Sequence, residues 1–263
     1  YQVPALMKDG VTIVISPLIS LMKDQVMALK EAGAKPAYIN SSLSEGQCHT
    51  VINRASAGQY KIIYVAPERL DTPRFKQFAQ QAAIDMVIID EAHCISQWGQ
   101  DFRPSYLKIA DFVAALPKRP VIGAFTATAT REVREDIIRM LELSDPHVAV
   151  TGFDRKNLYF EVRHDKDKYR SIRDYLLAHP DSSGVIYCAT RKNVEEVCDR
   201  LLADGFRATR YHAGLSDEER RANQEAFTYD DAPIMVATNA FGMGIDKSNV
   251  RFVLHYNMPK NME

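Results

Sequence analysis

The chain lacks any apolar run of the ~18 residues that a membrane-spanning helix needs, and it lacks a charged-then-apolar leader. Membrane insertion and secretion are therefore not expected, and the protein reads as cytoplasmic. It also lacks an excess of charge of either sign. Its 33 Lys+Arg against 34 Asp+Glu leave a formal charge of -1, so any nucleic-acid contact must come from a local groove rather than a basic surface. Cysteine is scarce: Cys48, Cys94, Cys188 and Cys198 show no Cys-x-x-Cys spacing, which argues against a zinc ribbon or disulfide framework and predicts free buried thiols. His93 and His212 are too far apart for a local metal motif, so no transition metal is expected. Tryptophan occurs once, as Trp98.

What remains is ordinary globular material, 263 residues with 46% hydrophobic and 25% charged side chains, enough for two domains with cores. The chain opens on Tyr-Gln-Val-Pro-Ala-Leu without an initiator Met and stops soon after an apolar strand. It reads as cut at the front, and the same is expected at the back.

Short β-branched runs at Val11–Ser16, Ala37–Asn40, Ile62–Ala66, Met86–Asp90 and Val121–Phe125 predict strands. Between them, Leu18–Ala32 carries apolar residues at helical spacing, and Ser44–Ala57 predicts a helix capped by Ser44 with Gln47 three residues on. Strands alternating with helices imply right-handed crossovers and a parallel sheet flanked by helices, with ligands at the carboxyl ends of the strands. After a strand-like Val148–Thr151, an unpatterned turn at Gly152–Arg155 opens a second, smaller block. There Val185–Cys188, Ala208–Tyr211, Ile234–Ala237 and Phe252–Leu254 predict strands. Lys192–Asp204, stopped by Gly205, and Ser216–Phe227, opened by a Ser216/Glu219 capping box, predict helices. The fold class is α/β, two tandem domains with a cleft expected between them.

Asp90-Glu91-Ala-His93 follows a buried strand and suits nucleotide hydrolysis. One carboxylate reaches Mg²⁺ through its waters, and the next orients or deprotonates the attacking water; the plain alternative is two solvated carboxylates at a sheet edge. The following loop holds Trp98, Phe102, Arg103 and Tyr106, whose rings and cation could stack on bases or sense the nucleotide; equally, Trp98 and Phe102 could plug a core. Thr126-Ala-Thr128 could bridge sites, or its threonines could cap the helix Glu132–Leu141. The glycines of Phe241-Gly-Met-Gly-Ile-Asp246 could let backbone amides approach a phosphate, or form a tight turn.

Taken together, these segments resemble the RecQ family of superfamily 2 DNA helicases. Ser16–Val26 is similar to motif Ia, Ala66–Leu70 to Ib, Asp90–His93 to motif II, Cys94–Tyr106 to the family's aromatic-rich loop and Thr126–Thr128 to motif III. Ile186–Arg191 resembles motif IV, Tyr211–Leu215 the segment after it, and Val236–Lys247 motif V. The resemblance implies two tandem RecA-like domains, 1–151 and 152–263, taking ATP, Mg²⁺ and single-stranded or partly duplex DNA, in a 3′-to-5′ helicase of DNA repair and recombination. It implies that Asp90 holds magnesium through water and Glu91 activates water, with His93 and Gln97 relaying between sites. Gly242, Gly244 and Asp246 would approach the nucleotide. Arg69 would meet a phosphate; Trp98, Phe102 and Arg103, with Thr126 and Thr128, would couple DNA to hydrolysis, and Thr238 and Asn239 would lie near the DNA path. In that family a phosphate-binding Gly-Lys-Ser/Thr loop precedes the residues matching Tyr1-Gln2, and the arginine-finger motif follows those matching Glu263. Neither lies within the 263 residues, so these residues as a separate polypeptide are expected not to hydrolyse ATP. A nucleic-acid-binding fragment without catalysis and an RNA helicase are the competing readings.

Overall fold

A computed structural model of the chain describes residues 1–99, 101–151, 156–242 and 247–258. Two compact units, Tyr1–Val150 and Thr151–Met262, each carry their own parallel sheet.

In the first unit the strands are β1 (Val11–Ile15), β2 (Pro36–Ile39), β3 (Ile62–Val65), β4 (Ile84–Ile89) and β5 (Val121–Ala124), in the order β2-β3-β1-β4-β5. The helices are α1 (Gln2–Met7), α2 (Ile19–Glu31), α3 (Glu45–Ser56), α4 (Pro73–Gln81), α5 (Lys108–Ala114) and α6 (Arg131–Met140). Successive strand side chains point to opposite faces, and both faces are covered. Ile13, Ile15, Val87 and Ile89 pack with Phe75 and Phe78 of α4, Phe112 of α5 and Ile137 of α6. On the other face Val14, Tyr64 and Ile88 pack with Ala5 of α1 and with Met22, Val26 and Leu29 of α2.

The register places the functional loops. Ile15 aligns with Val65 on one side and Ile89 on the other, and Ile89 aligns with Ala124. The ladder then runs one step further: Ser16 N–H donates to Val65 O at 3.2 Å, Asp90 N–H to Ile15 O at 2.8 Å, and Phe125 N–H to Ile89 O at 2.8 Å. Three polar turns therefore leave the sheet side by side.

The second unit contains α7 (Lys168–Ala178), β6 (Ser183–Tyr187), α8 (Arg191–Ala203), β7 (Ala208–Tyr211), α9 (Asp217–Thr228), β8 (Ile234–Ala237) and β9 (Val250–His255), with strand order β7-β8-β6-β9. Ile186 and Val236 face α7 and α8 through Ile172, Leu176, Val194 and Val197. Val185 and Met235 face Phe227 of α9 and Phe241.

The caps follow the sequence. Ser44 with Gln47 and Ser216 with Glu219 form capping boxes. Gly205, at φ 84°, supplies the left-handed residue after α8. All four cysteines are free and buried. The strand-like Val148–Thr151 is not a strand. Its β-branched alternation has no ladder partner, and Val148 and Val150 stand exposed. No helix among the described residues is long and apolar enough to cross a membrane.

Candidate active site

Asp90 stands one residue past β4, between the ends of β1 and β5. Its carbonyl accepts the hydroxyl of buried Tyr106 at 2.9 Å, and its carboxylate Oδ1 accepts the Glu91 N–H at 3.1 Å. Burial, then the neighbouring Glu91 charge, push the Asp90 carboxyl above its ordinary range; the Glu91 N–H, the Ser16 hydroxyl and His93 pull the other way. Glu91 takes φ 47° and ψ 48°, a left-handed conformation that costs a side-chain-bearing residue roughly 1–2 kcal/mol. This sharp turn starts a 3₁₀ segment, Ala92–Ile95, and lets Ala92 N–H donate to Phe125 O at 2.9 Å. The acid pair is thus clamped to the ends of both neighbouring strands.

His93 is buried within that 3₁₀ turn. Its Nδ1 lies 2.8 Å from Thr126 Oγ1 and 3.2 Å from Glu91 Oε2. The Thr126 hydroxyl donates to Thr128 O at 3.0 Å and accepts the Thr128 N–H at 3.3 Å. Its own proton being committed there, it acts as acceptor toward His93, which assigns a proton to Nδ1. The Cys94 sulfur, 3.8 Å from Nε2, and the Glu91 carboxylate together push the imidazole up to about 10. His93 is thus held between the acid box and the Thr-Ala-Thr segment. Thr126 bridges the two turns, and the cap expected of Thr126–Thr128 falls instead to Thr130, whose hydroxyl accepts Val133 N–H at 3.4 Å at the start of α6.

The aromatic loop leaves this turn directly. Trp98 is 77% exposed, so it does not plug a core, whereas Phe102 is half-buried. Gly99 packs on the acid-box turn so closely that a Cβ there would stand 2.3 Å from His93 O. Arg103 is engaged within the unit: its guanidinium pairs with Asp101 at 2.7 Å and donates to Pro17 O at 3.2 Å, joining the loop to the turn after β1. Gln97 is exposed beside Trp98.

Other expected site residues lie apart from this cluster. Arg69, in the 3₁₀ turn Pro67–Arg69 after β3, donates to Asn40 O at 3.3 Å. In the second unit Thr238 accepts the Phe241 N–H at 3.1 Å through its carbonyl and the Ala240 N–H at 3.4 Å through its hydroxyl, with Asn239 exposed between. Gly242 takes φ 116°, and a Cβ there would lie 2.3 Å from Tyr187 Oη. Gly244 and Asp246 lie outside the described residues. Sequence reading placed Ser16 in a polar turn but missed Ser96, Gly99 and Asp136 as parts of this site. Serine and aspartate are common surface residues, and only contacts distant in sequence mark them.

No group of three His, Cys, Asp or Glu side chains able to hold a metal gathers among the described residues. What Asp90, Glu91 and Ser16 present together is hard oxygen, with the Asp90 carboxyl raised by burial and by the Glu91 charge. That donor set fits a largely hydrated Mg²⁺.

Comparison with known proteins shows residues 1–136 matching the DEAD/DEAH box helicase family and residues 167–263 matching the helicase conserved C-terminal domain. The chain is 51% identical over 263 residues to the ATP-dependent DNA helicase RecQ of Bacillus subtilis, covering 100% of this chain and 44% of that protein. It is 43% identical to RecQ of Pasteurella multocida, covering 42% of it, and 40% identical to the bifunctional 3′-5′ exonuclease/ATP-dependent helicase WRN of Mus musculus, covering 19% of it. The chain thus spans less than half the length of these relatives. Among solved structures it is similar in fold to S. cerevisiae Dbp5 bound to RNA and ADP BeF3, with a TM-score of 0.69, 19% identity, and coverage of 98% of this chain and 66% of that one. The Mycobacterium smegmatis helicase Lhr bound to ssDNA and AMP-PNP gives a TM-score of 0.65 at 16% identity, covering 94% and 36%. Both units have the parallel-sheet α/β architecture of RecA-like helicase domains.

Proposed function

On the premise that this chain belongs to the RecQ family of DEAD/DEAH box helicases, we propose that it is the motor portion of an ATP-dependent 3′-to-5′ DNA helicase. The observation that carries this reading is the continuity between the acid pair and the exposed tryptophan. Glu91 pairs with His93, His93 with Thr126, and the same 3₁₀ turn feeds the loop that presents Trp98.

The roles follow from the geometry. Glu91 accepts the proton of the attacking water at a carboxylate oxygen, and its left-handed backbone with His93 beside it fixes where that oxygen points. Asp90, with Ser16 adjacent, would hold Mg²⁺ through water, and the ion would offset charge on the transferring phosphoryl group. Trp98 offers a face on which a DNA base stacks, a contact worth roughly 1–3 kcal/mol. Stacking restrains the loop that packs on His93 through Gly99, and so reports to the acid pair. Arg69 is a proposed DNA-phosphate contact of the first unit, and Thr238 and Asn239 are proposed DNA contacts of the second.

The chain's single tryptophan makes the test direct. Oligothymidylate added without nucleotide should quench Trp98 emission with saturation, and Trp98→Ala should weaken binding, followed with labelled DNA, by roughly tenfold or more. Equal affinity in the variant would overturn the stacking role. Tighter binding of oligouridylate than of oligothymidylate would favour an RNA substrate. As a separate polypeptide the 263 residues should bind DNA without turning over ATP, and turnover above a Glu91→Gln control would refute that.

A further inference from the structure

Ser96 lies two residues before Trp98 and is fully buried, although serine is usually a surface residue. Its hydroxyl donates to Asp136 Oδ2 at 2.7 Å and accepts the Trp98 N–H at 3.2 Å. The Gly99 N–H donates to Ser96 O at 3.1 Å, so both backbone amides that shape the tryptophan turn depend on this one residue. Asp136 sits on α6, whose cap, Thr130, directly follows the Thr126–Thr128 segment that holds His93. The Ser96 hydroxyl, then the Arg139 guanidinium, hold the Asp136 carboxyl below its usual range, so at neutral pH it is an anion that accepts the serine hydrogen bond.

We propose that Asp136 is a positioning residue: through Ser96 it orients the backbone of the Trp98 turn and ties that turn to the helix capped by Thr130. The loop is therefore held at two points. Gly99 packs against His93 O on the acid-box side, and Ser96 is bonded to α6 on the other. A base stacking on Trp98 meets a preorganised ring, so little ordering cost is incurred on binding. The inference rests on the reading of Trp98 as the DNA-sensing side chain, but the anchor itself is measurable without DNA.

The test measures acrylamide quenching and time-resolved anisotropy of Trp98, together with oligothymidylate affinity, in this chain. Ser96→Ala and Asp136→Ala should each increase quenching and fast motion of the indole, and weaken DNA binding by up to roughly tenfold. Because Asp136 acts through Ser96, whose hydroxyl also accepts the Trp98 N–H, the double variant should be no worse than Ser96→Ala alone. Asp136→Asn retains an acceptor oxygen and should recover most of the parent's behaviour. Arg139→Gln removes only the ion pair and should match the parent. If Asp136→Ala fails to fold, Ser96→Ala and Asp136→Asn carry the comparison. Unchanged Trp98 quenching in Ser96→Ala, or an Arg139→Gln variant as loose as Asp136→Ala, overturns the proposal. If oligothymidylate leaves the parent's Trp98 emission unaltered, the DNA-sensing reading fails, while quenching in the free chain still decides the anchor.

Discussion

His93 and Thr126 meet through a single hydrogen bond, Nδ1 to Oγ1 at 2.8 Å, and that bond joins the turn after β4 to the turn after β5. Neighbouring parallel strands put the two turns side by side. The Thr126 hydroxyl, already donating to Thr128 O, can only receive. Thr126 Oγ1 and Glu91 Oε2 both lie against Nδ1, so one Nδ1–H serves them together, while Nε2 faces the Cys94 sulfur.

The first prediction concerns pH. The His93 imidazole is raised from 6.5 to about 10, so the folded chain holds this proton more tightly than the unfolded chain. Its contribution to stability is complete below about pH 6.5 and is lost as pH rises through about 10. Unfolding free energy should decline across that window, and Glu91→Gln should flatten the decline and move the His93 titration, followed by ¹⁵N NMR, downward. A parent His93 titrating near 6.5 would contradict this.

The second concerns the loop's close approach. Gly99→Ala would place a methyl 2.3 Å from His93 O, a backbone atom that cannot step aside, and should cost roughly 1–3 kcal/mol in denaturant unfolding. Gly46, exposed on α3 with open space where a Cβ would go, is the control. Gly46→Ala should be neutral or stabilising by up to about 1 kcal/mol. Similar midpoints for the two variants would count against the packing described.

The third isolates the strained backbone at Glu91. Glu91→Ala and Glu91→Gly both delete the carboxylate, but only glycine accepts φ 47° without a Cβ penalty. Glu91→Gly should therefore be the more stable by about 1 kcal/mol in chemical unfolding, although neither would support nucleotide hydrolysis. An alanine variant as stable as the glycine one would mean that the left-handed turn is not fixed.

The fourth lies in the second unit. The Tyr187 hydroxyl donates to Phe241 O at 2.9 Å, and Gly242, at φ 116°, leaves room for that hydroxyl. Tyr187→Phe should cost about 1 kcal/mol, and Gly242→Ala more, because it adds backbone strain to a steric clash. In the Tyr187→Phe background the Gly242→Ala penalty should shrink, since the obstructing oxygen is gone; equal penalties in both backgrounds would exclude the contact.

The sequence alone determined a good deal here. Alternating apolar strands and capped helices specify two parallel α/β sheets, since local periodicity and capping chemistry act over a few residues and are written in consecutive letters. The acid pair was legible too, as carboxylates ending an apolar strand. Short helices escaped reading: α4 and α5 bury Phe75, Phe78 and Phe112 in too few residues for a periodic pattern to emerge. Val148–Thr151 misled in the opposite sense, because a strand exists only where another strand supplies its hydrogen bonds. Tertiary structure alone decided that Trp98 faces outward, that His93 is shared by Glu91 and Thr126, and that Ser96 reaches Asp136. Those facts depend on partners up to 40 residues away, brought within reach by the register of β1, β4 and β5 and the packing of α6, and hydrogen-bond geometry is set by that approach rather than by residue type.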